Sequence, residues 1–507
     1  MGPTLSLKDY PGTLKVTQSV GTPGRSILDS ADQLLLILPD KIPATAWQRI
    51  PQGKRLRELM RRRVKGSVPA VSSRLANKRQ TAVHVGTTSA SATAFEILTF
   101  ARKLVAAALR EKAGAVSIWV TGFGDQDQAR LIRACVAAAL AAAFQMPEFK
   151  SKTSPARIRS VRVVGSKERL DLERVIAEAD GNNLARWLTA QPANKLDAVS
   201  YAAILKELSK SNGWQMKQYS VAQLRKMGAG AFLAVAQGNA DDSATIVRLG
   251  YRPGSKSAEP ALSLVGKGII FDTGGTNLKP FTSMLSMHID MGGSAVAVGS
   301  LLALTRLGAE FPADCWLAIT ENRTGPTAYK SQDVVQAANG KTIQTIHTDA
   351  EGRMALADTL VFASRDKPKF LIDFATLTGT CVNAVTTRFS GVFTNRTELH
   401  PILRKTGEQC GERVWPFPIG KEYLEDLKSQ TADYMQCSPN SAGDHILAAS
   451  FLNEFVEKDV PWVHMDLAAC THKGGLAQVP SEITGFGVRY TLQLLLDQNI
   501  LDHEFHN

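Results

Sequence analysis

Apolar and polar positions follow two kinds of pattern in the first third of the chain. Short, nearly continuous apolar runs predict four strands, at 33–39, 81–85, 115–120 and 160–164. Alanine-rich segments with apolar residues at helical spacing predict helices between them, at 92–111 and 126–144. Strands that alternate with helices are typical of an α/β domain, so we expect a smaller N-terminal α/β domain at residues 1–165.

A long helical pattern follows this region and stops before Pro192. We expect a helix over 166–191 that links two domains. Beyond it the alternation resumes, with helices predicted at 200–212 and 294–307, and apolar strands at 243–249, 262–271, 314–319 and 369–374. Near-continuous apolar strands between helices are typical of a buried sheet. We therefore predict a larger C-terminal α/β domain at 192–507, with a central mixed sheet flanked by helices.

Length and composition are those of a globular protein. The chain has 507 residues, of which 44% are hydrophobic and 21% are charged, which argues against a disordered or fibrous protein. No apolar run reaches the length of a membrane span, and the N-terminus lacks the pattern of a secretory signal. The six cysteines are scattered without a CxxC pair or zinc-finger spacing, as expected of buried reduced thiols. We therefore expect a cytoplasmic protein without membrane contact.

Basic residues are concentrated in one segment of the N-terminal region. The net charge is +12, and the segment from Arg49 to Arg79 contains eleven lysines and arginines against one acid, Glu58. Such a run is typical of a solvated helical face, and it also favours a surface that binds DNA or another anionic partner. No aromatic residue lies between the basic ones, so stacking of bases is not expected there. Both interpretations stay open.

Four acidic side chains lie at three places where a strand ends or a helix begins. Lys267 is near the end of the most apolar strand, and Asp272 follows it and leads into a Gly-Gly loop. Asp290 precedes a glycine pair and a predicted helix. Asp349 and Glu351 are two residues apart, so in an extended segment both side chains project to the same side.

Carboxylates this close together repel one another unless cations lie between them. Oxygen ligands are the ones that hard or borderline divalent metals prefer. Four carboxylates from three loops suit two metal ions about 3.5–4 Å apart, with carboxylates bridging them. The spacing alone leaves two alternatives open. One is a structural network of ion pairs with basic residues of the same segments, and the other, for Asp290, is a helix-starting acid.

Several motifs together resemble the leucyl aminopeptidase family, the cytosol aminopeptidases. They are VGKGIIFDTGG from Val265, DMGG from Asp290, TDAEGRMALADTL from Thr348 and DFATLTGT from Asp373. The resemblance extends over roughly residues 180–495, and TDAEGR is its most specific motif. The N-terminal part is similar to the family only in its α/β character.

This resemblance implies a metal-dependent aminopeptidase whose catalytic domain is the segment 192–507. The metal ligands that it implies are Lys267, Asp272, Asp290, Asp349 and Glu351, with Asp272 and Glu351 bridging two ions. The catalytic basic residues that it implies are Lys279 and Arg353. The positions that match the lining of the substrate cleft are Met287, Thr376, Leu377 and Gly379.

The resemblance further implies cofactors, partners and roles. The cofactors are two divalent ions, Zn²⁺ or Mn²⁺, together with a bicarbonate anion, and the assembly is a homohexamer. The substrates are peptides with a free N-terminus, from which leucine or another apolar residue is released. A water shared by both ions attacks, Lys279 stabilises the oxyanion, and Arg353 grips the bicarbonate that shuttles protons. Lys267 can bind a metal only as a neutral amine, so we expect its pKa to be strongly lowered beside the ions.

The sequence also departs from the family pattern. His347 stands where the family usually has Asn, and Asp444-His445 occupies a stretch that is normally small and glycine-rich. We expect His347 to support the pocket, with an altered metal or substrate contact as the alternative. A different class of function stays open, a DNA-binding or regulatory protein on an aminopeptidase scaffold. A catalytically dead homologue is disfavoured, because it has no physical need of four clustered carboxylates.

Overall fold

Two large sheets organise the chain, with a small third sheet beside the second. The structure is a computed structural model that describes residues 5–42, 44–64, 66–110, 114–152, 158–255, 258–440 and 442–505. All strands of the first sheet precede residue 167, and all strands of the other two follow residue 214. The fold is therefore α/β with two sheet layers of different size, as the pattern of apolar runs predicts.

The first sheet has six strands in the order β1-β6-β5-β2-β4-β3. The strands are β1 (Val16–Val20), β2 (Gln33–Pro39), β3 (Val71–Arg74), β4 (Ala82–Thr88), β5 (Ala115–Val120) and β6 (Ser160–Ser166). The helices of this region are α1 (Arg25–Asp29), α2 (Ala44–Arg49), α3 (Gly53–Arg61), α4 (Ala94–Ala108) and α5 (Asp125–Ala143). Only the pair β3 and β4 is antiparallel among these strands.

The continuous apolar run of β2 has a simple cause in this sheet. Leu35 and Ile37 pack into one core with α4 and α5, whereas Leu34 and Leu36 face the opposite core. Both faces of the strand are covered, so every position from Leu34 to Pro39 is apolar. The predicted strands that form as β5 and β6 likewise contribute residues to both cores, and the one at 81–85 forms as β4.

The linking helix begins later than the sequence pattern predicts. Ser166 closes β6, and α6 spans Glu173–Thr189, so the prediction of a helix from residue 166 is wrong at its start. The reason is a competing side chain, because Gln18 of β1 binds both backbone groups of Leu170. Its amide oxygen accepts from the N–H at 3.1 Å, and its amide nitrogen donates to the C=O at 2.8 Å. These bonds hold the segment beside β1 until the helix begins.

The second sheet has eight strands in the order β15-β14-β17-β13-β9-β10-β8-β7, and the third has the order β11-β12-β16. The strands are β7 (Gln215–Ser220), β8 (Thr245–Tyr251), β9 (Leu262–Asp272), β10 (Ala313–Asn322), β11 (Val334–Gln336), β12 (Thr342–Gln344), β13 (Phe370–Ala375), β14 (Ser390–Thr394), β15 (Val414–Pro416), β16 (Tyr434–Met435) and β17 (Trp462–Asp466). In the eight-stranded sheet, β17, β13, β9 and β10 are parallel neighbours, and antiparallel pairs flank them on both sides. The sheet is mixed, as predicted.

Helices cover both faces of the larger sheet. They are α7 (Ala198–Asn212), α8 (Val221–Lys226), α9 (Gly230–Ala236), α10 (Phe281–Met284), α11 (Gly292–Arg306), α12 (Glu351–Arg365), α13 (Gly379–Val385), α14 (His400–Cys410), α15 (Lys421–Leu424), α16 (Asp444–Asn453) and α17 (Val488–Leu492). One core contains residues of α7 and α11, and the other contains residues of α9, α12 and α16. Neighbouring β9 positions alternate between them, with Leu264 in the first core and Val265 in the second.

One helical stretch has the length and composition of a membrane span. It covers Met287–Arg306, and 83% of its apolar window is buried inside the protein. The stretch includes α11, whose residues pack against α6 and β9. Its apolar character is therefore explained by its place in the core.

Candidate active site

The predicted ligands meet at the carboxyl ends of the central parallel strands. Lys267 and Asp272 lie on β9, and Asp290 lies in the short turn before α11. Asp349 precedes α12, and Glu351 is the first residue of that helix. Ligand sites in open α/β sheets form at this edge, because the loops that follow adjacent parallel strands converge there.

Three of the carboxylates form a buried cluster. Each of Asp272, Asp290 and Glu351 offers an oxygen, and these oxygens lie within 4.8 Å of one another. The ammonium of Lys267 lies among them, with Nζ 2.9 Å from Asp290 Oδ2 and 2.8 Å from Glu351 Oε1. The same nitrogen donates to the carbonyl oxygen of Thr376 at 3.1 Å. Four predicted site residues are therefore in direct contact.

A second lysine joins the remaining carboxylate to this cluster. Lys279 Nζ lies 2.8 Å from Asp272 Oδ2 and also contacts Asp349 Oδ1. The side chain of Lys279 is 13% exposed, whereas that of Lys267 is 3% exposed, so Lys279 lies on the solvent side of the cluster. Two lysines thus interleave with four carboxylates, and one carboxylate oxygen, Glu351 Oε2, is buried without a hydrogen-bond partner in the described part of the chain.

Burial and mutual repulsion shift the pKa values of this cluster. Burial, with the neighbouring carboxylates, raises the pKa of Asp290 to about 8 and that of Asp349 to about 6, and it also raises the pKa of Glu351. Burial acts to lower the pKa of Lys267, but the charges of Asp290, Glu351 and Asp272 act more strongly and raise it. The protein groups alone therefore keep Lys267 charged. The lowered pKa expected of a metal-bound Lys267 stays a prediction.

Polar side chains that the sequence did not assign to this task position two of these carboxylates. Asn322 is the last residue of β10 and lies opposite Asp272 in the strand pairing. Its Nδ2 donates to Asp272 Oδ1 at 2.8 Å, and the N–H of Gly274 donates to the same oxygen at 2.8 Å. Thr376, predicted only to line the cleft, donates from Oγ1 to Asp290 Oδ1 at 2.7 Å. The sequence predicts a strand at 314–319 shortly before Asn322, but only the fold shows that this strand lies beside the one that carries Asp272.

The segment that contains Asp349 is a turn, not the extended segment in which its side chain and that of Glu351 would project to the same side. The N–H of Ala350 donates to the carbonyl of His347 at 3.0 Å, which closes the turn directly before α12. Thr348 fixes its position, because its N–H donates to Asn277 Oδ1 at 2.8 Å. The side chain of Asp349 still reaches the cluster, since the turn directs it toward Lys279.

His347 lies at the solvent-exposed end of the same turn. Its Nδ1 accepts a hydrogen bond from the N–H of Asp349 at 3.3 Å, and its own N–H donates to Gln436 Oε1 at 3.1 Å. Burial lowers the pKa of His347, and the positive charge of Lys279 contributes in the same direction. The imidazole therefore supports the backbone of a candidate ligand.

Arg353 is the third residue of α12 and is buried. Its guanidinium makes a two-pronged ion pair with Asp444, with Nη1 at 3.0 Å from Oδ1 and Nη2 at 2.6 Å from Oδ2. Nη1 also donates to the carbonyl of Gln436 at 3.2 Å. The sequence placed Arg353 in the catalytic centre but gave no sign of this partner, which lies 91 residues away.

The remaining predicted residues lie on the segments that carry or follow the site residues. Met287 begins the turn that carries Asp290, and Leu377 follows β13; both are half-buried. Gly379 is exposed at the start of α13. The backbone at Leu377 is held by Asp466, whose Oδ1 accepts its N–H at 3.1 Å. Their role in lining a substrate cleft stays a prediction.

Sequence comparisons match this chain to known proteins. A sequence model of the cytosol aminopeptidase family, catalytic domain, matches residues 183–492. A probable cytosol aminopeptidase of Gloeobacter violaceus is 34% identical over 411 residues, which cover 76% of this chain and 79% of that protein. A probable cytosol aminopeptidase of Rhodopseudomonas palustris is 40% identical over 330 residues, 64% of each chain.

Solved structures with a similar fold also match this chain. The bottromycin maturation enzyme BotP in complex with Mn has a TM-score of 0.78 at 31% identity, covering 92% of this chain and 100% of that one. A tomato leucine aminopeptidase mutant has a TM-score of 0.83 at 24% identity, covering 97% of this chain and 99% of that one, and shows the fold alone.

Proposed function

The chain belongs to the cytosol aminopeptidase family and is an aminopeptidase, and on this premise we propose that it releases leucine and other apolar N-terminal residues from peptides with the help of two divalent metal ions. The observation that carries the metal part of this proposal is the convergence of Lys267, Asp272, Asp290 and Glu351 on one buried point, to which Asp349 is joined through Lys279. The ions proposed are Zn²⁺ or Mn²⁺.

The donor set fits such ions. Four carboxylates face two ammonium groups, and Glu351 Oε2 is buried without a hydrogen-bond partner among the described residues. A buried carboxylate oxygen without a hydrogen-bond partner destabilises the folded protein, and a bound cation would offset this cost. Asn322 and Thr376 already orient Asp272 and Asp290, as the outer partners of metal ligands do. The cluster therefore has the ligands, the excess negative charge and the supporting hydrogen bonds of a metal site.

Each basic residue would have a separate task. Bound divalent ions would lower the pKa of a shared water and polarise the scissile carbonyl. Lys267, displaced from its carboxylate partners, would act as a neutral amine ligand, whereas Lys279 would keep its charge. Because Lys279 lies toward the solvent side, its ammonium is available to stabilise the oxyanion of the tetrahedral intermediate. Met287, Leu377 and Gly379 would contact the first side chain of the substrate.

A panel of aminoacyl-anilides tests this function. The protein is treated with chelator and then assayed with Zn²⁺, with Mn²⁺ and with neither. We expect hydrolysis only with metal, fastest for leucyl and other apolar anilides, and none for the N-acetylated leucyl anilide. Glu351→Ala is the site variant, and Glu422→Ala, an exposed acid elsewhere, is the matched control. Full activity of the chelated protein, or of Glu351→Ala, would refute the proposal.

The assembly and location are proposed from family resemblance. We propose a homohexamer in the cytoplasm, with an N-terminal α/β domain at 1–165, a linking helix and a catalytic domain at 192–507. Light scattering after gel filtration gives the mass of the assembly, and a hexamer is expected. A monomer at micromolar concentration would contradict this part and leave the chemistry untouched.

DNA binding is a second candidate, which the exposed face of α3 favours. Leu56 and Met60 of this helix are buried, whereas Arg55, Arg57 and Arg61 are exposed on its other side. If this face binds DNA, retention should fall steeply with salt, and the triple replacement of Arg57, Arg61 and the exposed Arg62 by Ser should reduce the salt dependence. Equal retention of wild type and the triple variant on DNA would show that this basic face is only a solvated helical face.

A further inference from the structure

Asp444 fills the place on Arg353 at which the family resemblance implies a bicarbonate anion. Arg353 has two terminal nitrogens in the planar fork that grips a carboxylate or bicarbonate, and Asp444 takes both of them. The third nitrogen, Nε, is buried and has no hydrogen-bond partner in the described part of the chain. An anion from solution could occupy the edge formed by these two terminal nitrogens only by displacing Asp444. The residues present therefore do not fit a bicarbonate held between Nη1 and Nη2 of Arg353.

The fold holds the carboxylate of Asp444 beside Arg353. Asp444 is the first residue of α16, where the helix dipole favours a negative charge. The next residue, His445, ties the start of the helix to α13, because its N–H donates to Thr380 Oγ1 at 3.0 Å. Side-chain exposure is 22% for Asp444 and 2% for Arg353, so the pair is largely shielded from competing ions.

Two departures from the family pattern meet at this pair. His347 and Asp444 are far apart in sequence, yet Gln436 links their surroundings. Its side-chain oxygen accepts the N–H of His347 at 3.1 Å, and its carbonyl oxygen accepts from Arg353 at 3.2 Å. The altered residues therefore belong to one local arrangement around Arg353.

We propose that Asp444 is a built-in substitute for the bicarbonate ion, so that this aminopeptidase needs no soluble anion at Arg353. The kinetic consequence of this inference rests on the proposed function, whereas the binding of Asp444 to the guanidinium of Arg353 follows from the geometry alone. Asp444 keeps the negative charge beside Arg353 at every concentration of dissolved carbonate. It acts as a positioning residue, since its contacts are with Arg353.

The test compares wild type with Asp444→Ala in metal-loaded protein and carbonate-free buffer. We expect wild-type kcat to be unchanged by added bicarbonate. We expect Asp444→Ala to lose activity by about tenfold or more and to regain it as bicarbonate is added, because the emptied fork can then bind the ion. Asp426→Ala, which removes an exposed acid, is the matched control and should behave as wild type.

A binding measurement makes the result independent of catalysis. The ¹³C resonance of labelled bicarbonate should broaden in the presence of metal-free Asp444→Ala and stay sharp with metal-free wild type. Binding to wild type as strong as to the variant, or bicarbonate activation of wild type, would overturn the proposal. So would a folded Asp444→Ala, checked by its thermal melt, that either keeps full activity in carbonate-free buffer or is not rescued by bicarbonate. If wild type hydrolyses no aminoacyl-anilide, the proposed function fails, and the NMR comparison still decides the occupancy.

Discussion

Asn322 and Asp272 are paired across two parallel strands, and this contact should control metal affinity. The amide of Asn322 donates to the inner oxygen of Asp272, which leaves the other oxygen directed at Lys279. Asn322→Ala removes this orientation, so we expect affinity for Mn²⁺ to fall by about 10–100-fold. Competition with a metal-sensitive dye measures the affinity. Asn339→Ala, an exposed amide in the loop between β11 and β12, should not change it, and an unchanged affinity in Asn322→Ala would contradict this role.

His347 should tolerate the residue that the family usually has at this position. Its Nδ1 accepts the N–H of Asp349, and the side-chain oxygen of Asn can accept the same bond two residues ahead. We therefore expect His347→Asn to retain activity within about threefold, with a modest shift in metal preference or side-chain specificity. Metal analysis of the purified variant is the accompanying measurement. Complete loss of bound metal would show that the imidazole is itself a ligand.

The candidate ligands could be predicted at the residue scale because each lies within a short, distinctive motif. Asp272, Asp290 and Glu351 stand next to glycine-rich turns or a helix start, where a carboxylate has a chemical reason to be. Asn322 and Asp444 could not be predicted in this way. Their roles depend on contacts 50 and 91 residues away along the chain, which only the folded arrangement defines.

Helices and strands could be predicted where one kind of hydrophobic pattern persists along the segment. In β2 the residues from Leu34 to Pro39 are all apolar because both faces of the strand are buried. The predicted start of α6 was wrong because the helical pattern of a segment does not show contacts with distant side chains. Here the side chain of Gln18 holds Leu170 outside the helix. The turn at 347–350 could not be predicted for a similar reason, since Asn277 fixes it from another loop.

The crossing of α6 and α11 depends on two glycines. A Cβ atom added to Gly299 would lie 2.5 Å from the carbonyl oxygen of Gly181, and one added to Gly181 would lie 2.3 Å from that of Gly299. Backbone atoms cannot yield as a flexible side chain can, so the helices must separate. We expect Gly299→Ala to lower the free energy of unfolding by about 1–3 kcal/mol, in spite of the better helix propensity of alanine.

Denaturant unfolding measures this loss. The control is Gly325→Ala, at an exposed glycine whose added Cβ would make only an ordinary contact, 3.4 Å from the carbonyl of Gly238. The control should unfold as wild type does. Equal stability of Gly299→Ala and wild type would mean that the two helices can separate at little cost.

At the scale of the whole molecule, the order of the strands explains why the site forms from separated segments. The parallel strands β13, β9 and β10 are adjacent in the large sheet, although β10 precedes β13 by about fifty residues of chain. Their carboxyl ends present Thr376, Asp272 and Asn322 to one another. The sequence pattern predicted a mixed sheet, but it carries no information on which strands are neighbours, because every central strand is apolar on both faces.

Metal binding should stabilise the whole protein, because the site joins β9 to the starts of α11 and α12. An ion that binds only the folded state at a hundred times its Kd adds about 2.7 kcal/mol to the free energy of unfolding. We expect the Tm of chelator-treated protein to rise on addition of Mn²⁺ or Zn²⁺ in a differential scanning experiment. Glu351→Gln keeps the shape of the side chain but removes its charge, so its Tm should respond much less, whereas Glu422→Gln should respond as wild type does. An equal rise in all three proteins would place the stabilising ions elsewhere, since loss of one buried carboxylate from the cluster must weaken binding there.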